Sequence, residues 1–194
     1  EVAGIPHIEV DGVEADDTMG AIATWAEKKG AKSFLCSSDK DLCQLVNDKI
    51  FVLQTYKNNL IIDKKGVIEK FGVRPDQMID YLAIMGDSAD NIPGIKGFGA
   101  KTAAELLQEF DTLENMLAHP EKQKTKKRKE KVIEETDNVL LSRTLATIDT
   151  KISIPNKVSD YELLNIKREA LIELYEEMNF NSFLKELGEE KKEE

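Results

Sequence analysis

One stretch of the chain leaves few conformations open. Residues 92–99, IPGIKGFG, hold three glycines and one proline in eight positions, a composition that helix and strand interiors tolerate poorly. Directly after it, AKTAAELLQEF is rich in helix formers and repeats apolar residues at helical spacing, at positions 103, 106, 107 and 110. The pattern predicts a tight hairpin that leads the chain into an amphipathic helix.

The start of this predicted helix is suited to binding an anion. Its first backbone N–H groups have no helical partners, and the helix dipole places partial positive charge there. Lys101 and Thr102 add side-chain donors in the first turn. A phosphodiester would suit such a site, although a glycine-rich turn before a helix is also a common connector without a ligand.

Acidic residues form three short blocks, each at a predicted strand end, loop or helix start. The seven carboxylates are Glu14, Asp16, Asp17, Asp39, Asp41, Asp87 and Asp90. Acids in the first turn of a helix need no ligand to explain them, and a lone DxxD pair is commonly a cap or a solvated turn. As a set, oxygen ligands without His or Cys suit Mg²⁺ or Mn²⁺ rather than zinc. Two such ions about 4 Å apart can align a water and a leaving oxygen across a phosphodiester.

The pattern around these blocks predicts an α/β fold. A helix is expected from about Ala15 to Lys28, followed by a strand within residues 31–38. The unbroken apolar run at its centre predicts a strand covered on both faces, with Cys36 filling the core. Asp39 and Asp41 then fall at the carboxyl end of this strand, where open parallel sheets gather their ligands. A strand hairpin is expected over residues 49–63, and helices thereafter.

Charge and composition restrict the partners without selecting one. The formal net charge is −10, but seven of the 27 Lys and Arg residues fall within residues 122–131, KQKTKKRKEK. This basic run is open to two interpretations, a solvated mobile linker or a DNA contact. No apolar run approaches the length of a membrane span, and the two cysteines lack metal-type or disulfide-framework spacing. We therefore expect no membrane partner and reduced cytoplasmic thiols.

Three blocks of the sequence resemble signature blocks of one enzyme family. EADDTMGAIA, SSDKDLCQLV and GDSADNIPGIKGFGAKTA are similar to those of the 5′-nuclease (flap endonuclease-like) family, in its branch of 5′-3′ exonuclease domains from bacterial DNA polymerase I. LSRTLATI and the final helical stretch also resemble the end of that domain. The resemblance covers nearly the whole chain and implies a PIN-like parallel-sheet core followed by a helical region with a helix-hairpin-helix (helix-three-turn-helix) motif.

The resemblance also implies roles for individual residues. Glu14, Asp16 and Asp17 would hold one ion, Asp39 and Asp41 would complete the catalytic site, and Asp87 and Asp90 would hold the second ion. Two Mg²⁺ or Mn²⁺ ions are thereby expected, with Asp16, Asp17, Asp39 and Asp41 catalytic. The hairpin would grip duplex DNA, often with a potassium ion. The DNA-binding residues would be Gly94, Ile95, Lys96, Gly97, Gly99, Lys101 and Thr102.

The family pattern places further elements ahead of the EADD block. They are a first strand with a metal-binding Asp, a second acidic strand and a basic arch, whereas thirteen residues precede Glu14 here. We therefore interpret the chain as the C-terminal part of the nuclease domain. The expected divisions are residues 1–79 for the α/β metal-binding core, 80–188 for the helical DNA-binding region and 189–194 for a disordered tail.

Two functions follow from this interpretation. The first is a structure-specific 5′-3′ exonuclease and 5′-flap endonuclease, acting in DNA replication and repair in the bacterial cytoplasm at the nucleoid. Its partners would be duplex DNA with a 5′ flap or nick, an attached polymerase domain and the N-terminal nuclease segment, without which activity would be weak or absent. The alternative is a non-catalytic duplex-binding module that uses the hairpin and the basic run.

Overall fold

The computed structural model describes residues 2–189, which fall into two compact units. The larger unit is Gly12–Ser153, and the smaller one combines the segments before and after it. In the larger unit the elements are α1 (Ala15–Lys28), β1 (Ser33–Cys36), β2 (Ile50–Gln54), β3 (Leu60–Ile62), α2 (Lys64–Phe71), α3 (Met78–Met85), α4 (Ala100–Phe110), α5 (Leu113–Ala118), α6 (Lys126–Glu134) and α7 (Thr136–Ala146). The predicted α/β fold, a small sheet followed by helices, is confirmed.

The sheet has three strands in the order β1-β2-β3. β1 runs parallel to β2, and β2 pairs antiparallel with β3 through the predicted hairpin. The prediction that β1 is covered on both faces is wrong, because only Leu35 of its four residues is buried and Cys36 is exposed. As the first strand of the sheet, β1 has β2 on one side, and its exposed Phe34 stacks on Phe51 of β2 instead of entering the core.

α3 forms the centre of the core. Six of its eight residues are buried, and it packs against α4, α7 and the 3₁₀ turn at Asp41–Leu45. Asp80, one of the buried six, is balanced by two partners: it accepts a hydrogen bond from the Leu113 backbone N–H at 2.8 Å and lies 3.1 Å from Arg143 Nε. This central helix fixes the positions of the segments on either side of it, including residues 86–99.

The predicted amphipathic helix after the glycines is confirmed in extent and register. α4 spans Ala100–Phe110 and buries Ala103, Leu106, Leu107 and Phe110. Gly99 precedes it in extended conformation and supplies no side-chain cap. The first backbone N–H groups of α4 are therefore left for water or a ligand.

From Lys126 onward the basic run is helical and forms the start of α6, so the interpretation as a mobile linker is wrong for residues 126–131. The Thr125 hydroxyl accepts a hydrogen bond from the Arg128 N–H at 3.2 Å and caps α6. α6 buries Val132 and leaves its lysines on the outside. A capped helix with one apolar anchor holds the cationic side chains on a fixed surface.

The smaller unit contains α8 (Arg168–Glu177) and α9 (Asn181–Glu189). Backbone hydrogen bonds join its two segments, from Leu164 to Gly4 and from Lys167 to Val2. The disordered tail predicted for residues 189–194 lies outside the described residues except for Glu189, which ends α9. The domain division at residue 79 stays a prediction. None of the helices in residues 2–189 has the length and apolar character needed to cross a bilayer.

Candidate functional site

Five of the seven predicted carboxylates line one cavity of about 270 Å³ in the larger unit. Carboxylates from three separate segments meet there, together with the apolar side chains of Ile92 and Leu145. The five are Glu14, Asp16, Asp39, Asp41 and Asp90. We refer to this cavity and its lining as the acid pocket.

Local backbone structure aims the first two blocks of acids at the acid pocket. Glu14 is the extended residue before α1, and Asp16 follows in the first turn, where the helix dipole favours an acid. After β1, the Ser37 hydroxyl accepts a hydrogen bond from the Asp39 N–H at 3.0 Å. Asp39 Oδ1 in turn accepts one from the Asp41 N–H at 2.9 Å. These short-range bonds turn the chain from the strand into the 3₁₀ turn and hold both acids at the strand end.

The third block forms a tight turn. Asp87 and Ile92 form an antiparallel bridge with backbone hydrogen bonds of 2.9 and 2.7 Å. Asn91 takes the left-handed conformation inside the turn, at φ 57°. The turn brings Asp90 into the acid pocket, whereas Asp87 Oδ1 accepts the Ala89 N–H at 2.8 Å.

Burial and mutual repulsion disfavour the charged forms of these acids. Burial raises the pKa of Asp41 to about 6, and the carboxylate of Asp39 adds to the shift. Burial also raises the pKa of Asp16, followed by repulsion from Asp39 and Glu14. Asp41 Oδ1 is buried and accepts no hydrogen bond. Oxygen-only ligands with an unused buried acceptor fit a hard divalent cation.

One cation of the chain, Lys40, already lies among these acids. Its ammonium donates a hydrogen bond to Asp87 Oδ2 and lies 3.9 Å from Asp41 Oδ1. The hydrogen bond from Lys40 lowers the pKa of Asp87. The sequence did not single out Lys40, since a lysine between two aspartates has the spacing of an ordinary solvated turn.

Asp17 has a structural partner outside the acid pocket. Its Oδ1 accepts a hydrogen bond from the Asp149 N–H at 2.8 Å, which ties the first turn of α1 to the segment after α7. A second tie is made by Gln44, whose carboxamide donates to the Ala146 carbonyl at 2.9 Å and accepts from the Ile148 N–H at 3.0 Å. Within residues 2–189, no three His, Cys, Asp or Glu side chains are yet arranged as a ligand set for one ion.

The predicted tight turn at residues 92–99, which we call the glycine hairpin, is built from close backbone contacts. Gly86 and Gly94 both have positive φ, at 72° and 61°. A Cβ on Gly94 would lie 2.5 Å from the Gly86 nitrogen, and a Cβ on Gly86 would lie 2.8 Å from the Ile92 carbonyl oxygen. Only residues without a Cβ allow the two backbones to approach so closely.

The hairpin has buried residues and exposed ones, and this divides the predicted DNA-binding set. The Gly94 N–H donates to the Ser142 hydroxyl at 2.9 Å, and the Ile95 N–H donates to the Ile84 carbonyl at 2.9 Å. Both residues are buried, so neither presents a free N–H or a side chain to a ligand. The solvent-accessible members of the predicted set are Lys96, Gly97, Gly99, Lys101 and Thr102.

A second cavity, of about 440 Å³, lies between the hairpin and α6. Gly97, Phe98 and Thr102 line it from one side, and α6 lines it from the other. The residues on that side are Thr125, which caps α6, and Lys127, Arg128 and Lys131 of α6. Lys131 donates a hydrogen bond to the Lys96 carbonyl, and Arg128 pairs with Glu105 of α4 at 3.3 Å. The basic helix is thereby fixed beside the start of α4.

Carboxylates at a strand end, joined to a helical region with a glycine hairpin, define a chain of the 5′-nuclease class. The sequence-family model for the 5′-3′ exonuclease N-terminal resolvase-like domain matches residues 1–72. The family model for the 5′-3′ exonuclease C-terminal SAM fold matches residues 73–169. The chain belongs to the 5′-3′ exonuclease family.

Relatives of the chain are bacterial DNA polymerases. DNA polymerase I of Bacillus subtilis is 42% identical over 189 residues, which are 96% of this chain and 22% of that protein. The thermostable DNA polymerase I of Thermus aquaticus is 39% identical over 97% of this chain and 22% of its own length. The chain therefore spans about a fifth of the length of these relatives.

Solved structures show the same fold. The bacteriophage T5 5′-exonuclease with bound divalent zinc superposes with a TM-score of 0.66 at 26% identity, covering 73% of this chain and 52% of that one. A variant T5 flap endonuclease, in a pseudo-enzyme-product complex with DNA and metal ions, gives 0.66 at 25% identity with the same coverage. The catalytic core of Rad2 shares the fold alone, with a TM-score of 0.53 at 16% identity over 81% of this chain and 55% of the other.

Proposed function

We propose that the chain provides the acid pocket and the duplex grip of a metal-dependent 5′-nuclease. The reaction is hydrolysis of DNA phosphodiesters at a 5′ end or at the junction of a 5′ flap, in replication and repair. The observation that carries the proposal is the meeting of Glu14, Asp16, Asp39, Asp41 and Asp90 in one cavity. They come from three segments of the chain, and their shared character is hard oxygen donation.

The acids are proposed to hold two divalent ions, Mg²⁺ or Mn²⁺. Such ions supply an activated water and neutralise charge on the phosphodiester. The T5 neighbour with bound zinc supports a divalent site in this fold. The proposed ligands that line the acid pocket are Glu14, Asp16, Asp39, Asp41 and Asp90. Asp17 and Asp87 are proposed to join them, and each currently has a hydrogen-bonding partner elsewhere in the chain.

The hairpin and the start of α4 are proposed to hold one strand of the duplex. Free N–H groups at the helix start, with Lys101 and Thr102 beside them, suit a phosphate. The second cavity extends this surface to Lys127 and Arg128 of α6, which are proposed to contact the same DNA strand. A potassium ion at the hairpin is part of the proposal, and it would supply positive charge for a phosphate there.

The partners follow from the relatives. The relatives are DNA polymerases, and this chain matches about a fifth of their length. We therefore propose two partners, an attached polymerase domain and an N-terminal nuclease segment, each covalent or non-covalent. The proposed location is the bacterial cytoplasm. β1 exposes Phe34 beside Phe51, which gives an added segment an apolar surface to pack on.

Cleavage of a labelled 5′-flap duplex tests the nuclease function. We expect weak cleavage with Mg²⁺ or Mn²⁺ and none with a chelator. Asp16→Asn should remove the activity, whereas Asp48→Asn should retain it because Asp48 is exposed and pairs with Lys64. Cleavage that persists in the chelator, or in Asp16→Asn, would contradict the assignment of the acid pocket.

The cavity beside α6 favours a second candidate, a non-catalytic duplex-binding module. Such a module would bind duplex DNA equally with and without divalent ions, and its affinity would fall steeply with salt because phosphate contacts release counterions. Fluorescence anisotropy with a chelator present, set beside the cleavage assay, distinguishes the two. Binding without any metal-dependent cleavage or metal binding would favour the module.

A further inference from the structure

Lys40 occupies an unusual place for a lysine next to two acids. It lies between Asp39 and Asp41 in the sequence, yet its side chain is 30% exposed and crosses to the third acid block, 47 residues further along the chain. There its ammonium donates to Asp87 Oδ2. A lysine with a flexible four-carbon stem could instead extend into water at little cost.

Lys40 lies close to two carboxylates, Asp87 and Asp41. Asp87 Oδ1 is used by the Ala89 N–H, so the bond from Lys40 completes that carboxylate. Asp41 Oδ1 is buried without a hydrogen-bond partner, and the Lys40 ammonium is 3.9 Å away. Like charges that gather in a partly buried region are stabilised by a nearby cation, and the Lys40 ammonium lies beside two of these acids, Asp41 and Asp87.

We propose that Lys40 is the counter-cation of Asp41 and Asp87 beside the acid pocket and that it competes with divalent ions for Asp87. The proposal rests on the proposed function, in that the acid pocket binds such ions. In the metal-free chain Lys40 holds Asp87 and relieves the repulsion on Asp41. An ion that takes Asp87 as a ligand must displace the ammonium, whose stem can turn towards solvent. Lys40 is thus a positioning residue that sets the ion concentration at which Asp87 becomes a ligand.

Mn²⁺ titration of the chain without DNA tests the competition. Lys40→Met keeps the length of the stem and removes the charge, so we expect Mn²⁺ to bind about tenfold more tightly, by calorimetry or by the electron paramagnetic resonance of free Mn²⁺. Lys40→Arg keeps a cation and should stay within about twofold of the unsubstituted chain. Lys64→Met removes an exposed lysine that pairs with Asp48 at 2.8 Å, and it controls for the loss of one positive charge.

Salt separates direct competition from a general charge effect. Screening weakens the influence of distant charges but little affects a direct contact. The ratio of affinities between Lys40→Met and the unsubstituted chain should therefore persist from about 50 mM to about 500 mM KCl. A ratio that disappears at high salt, or an equal gain in Lys64→Met, would overturn the proposal.

Stability without metal provides a second readout. In a chelator, Lys40→Met should unfold at a lower temperature than the unsubstituted chain, because Asp41 and Asp87 lose their counter-cation. Saturating Mn²⁺ should raise its melting temperature by more than it raises that of the unsubstituted chain. Equal affinity and equal metal-induced shifts in both chains would refute the role of Lys40 alone. Absence of Mn²⁺ binding in both would refute the metal site as well.

Discussion

The acid pocket and the glycine hairpin share Ile92, which lines the first and begins the second, but they are built on opposite principles. The acid pocket consists of side chains whose charges repel, with a buried oxygen on Asp41 that accepts no hydrogen bond. The hairpin consists of backbone, and its inner N–H groups at Gly94 and Ile95 are bonded within the fold. The inner N–H groups of the hairpin therefore have their hydrogen-bond partners without a ligand. The acid pocket, by contrast, is stabilised by a cation that enters it.

The largest effect is expected for a substitution in the hairpin. Gly94→Ala should lower the free energy of unfolding by more than about 3 kcal/mol, because the added Cβ meets the backbone of Gly86 and Met85 in a left-handed conformation. Chemical denaturation measures this. Gly99→Ala is the matched control, because a Cβ there meets no atom within 4 Å, and it should cost less than about 1 kcal/mol. Equal losses in both variants would show that the hairpin is not held by close backbone contacts.

The pH dependence of the metal-free chain is expected to reveal the strain in the acid pocket. The pKa of Asp41 is raised from 3.8 to about 6 in the folded chain. Between these values the folded state holds a proton that the unfolded state has released, so stability falls as the pH rises through this window. The loss is at most about 3 kcal/mol. Denaturation in a chelator should show a shallower fall for Asp41→Asn, and a parallel profile for that variant would contradict the raised pKa.

Removal of the Asp41 carboxylate should relieve repulsion in the metal-free chain but should weaken the binding of a metal ion. Asp41→Asn is expected to weaken Mn²⁺ binding about tenfold or more, because a charged oxygen ligand becomes a neutral one. Titration by calorimetry measures the loss. Asp48→Asn, at a side chain 89% exposed, should bind Mn²⁺ like the unsubstituted chain. If Asp41→Asn is stabilised and still binds Mn²⁺ like the unsubstituted chain, Asp41 is not a metal ligand.

The smallest effect is expected at the outer face of the hairpin. Lys101→Ala should weaken duplex binding a few-fold for every sequence and reduce the salt dependence by about one phosphate contact. Anisotropy titrations at several salt concentrations measure both. Lys65→Ala changes an exposed lysine on α2 that pairs with Glu69, and it should leave binding unchanged. Sequence-dependent losses in Lys101→Ala would indicate base contacts rather than a phosphate grip.

The local sequence pattern was sufficient to predict an element where residues that end helices and strands flank it. The start and end of α1, the register of α4 and the hairpin of β2 and β3 were all predicted, since each has periodic apolar residues bounded by glycine, proline or asparagine. The same reasoning failed for β1. Its apolar run is typical of a covered strand, but burial depends on what packs against it, and residues 33–36 contain no information about that.

The candidate site shows the same division. The residue types and their positions at strand ends and helix starts predicted five acids that line one cavity, and their roles as ligands stay predictions. The inward turn of Lys40 and the use of the Gly94 N–H by Ser142 depend on partners 47 and 48 residues away, so no local pattern reveals them. The placement of α6 beside the hairpin is equally non-local, because it is set by Lys131 and Arg128 contacting residues before and within α4.

The two hydrogen bonds of the Gln44 carboxamide have a consequence for the order in which the site can form during synthesis. The carboxamide joins residues 102 and 104 positions apart, and the end of α7 that it secures carries Leu145, one wall of the acid pocket. A ribosome releases the 3₁₀ turn long before it releases that wall. The wall at Leu145 can therefore join the acids of residues 14–41 only after the chain has been synthesised as far as residue 148, the farther partner of Gln44.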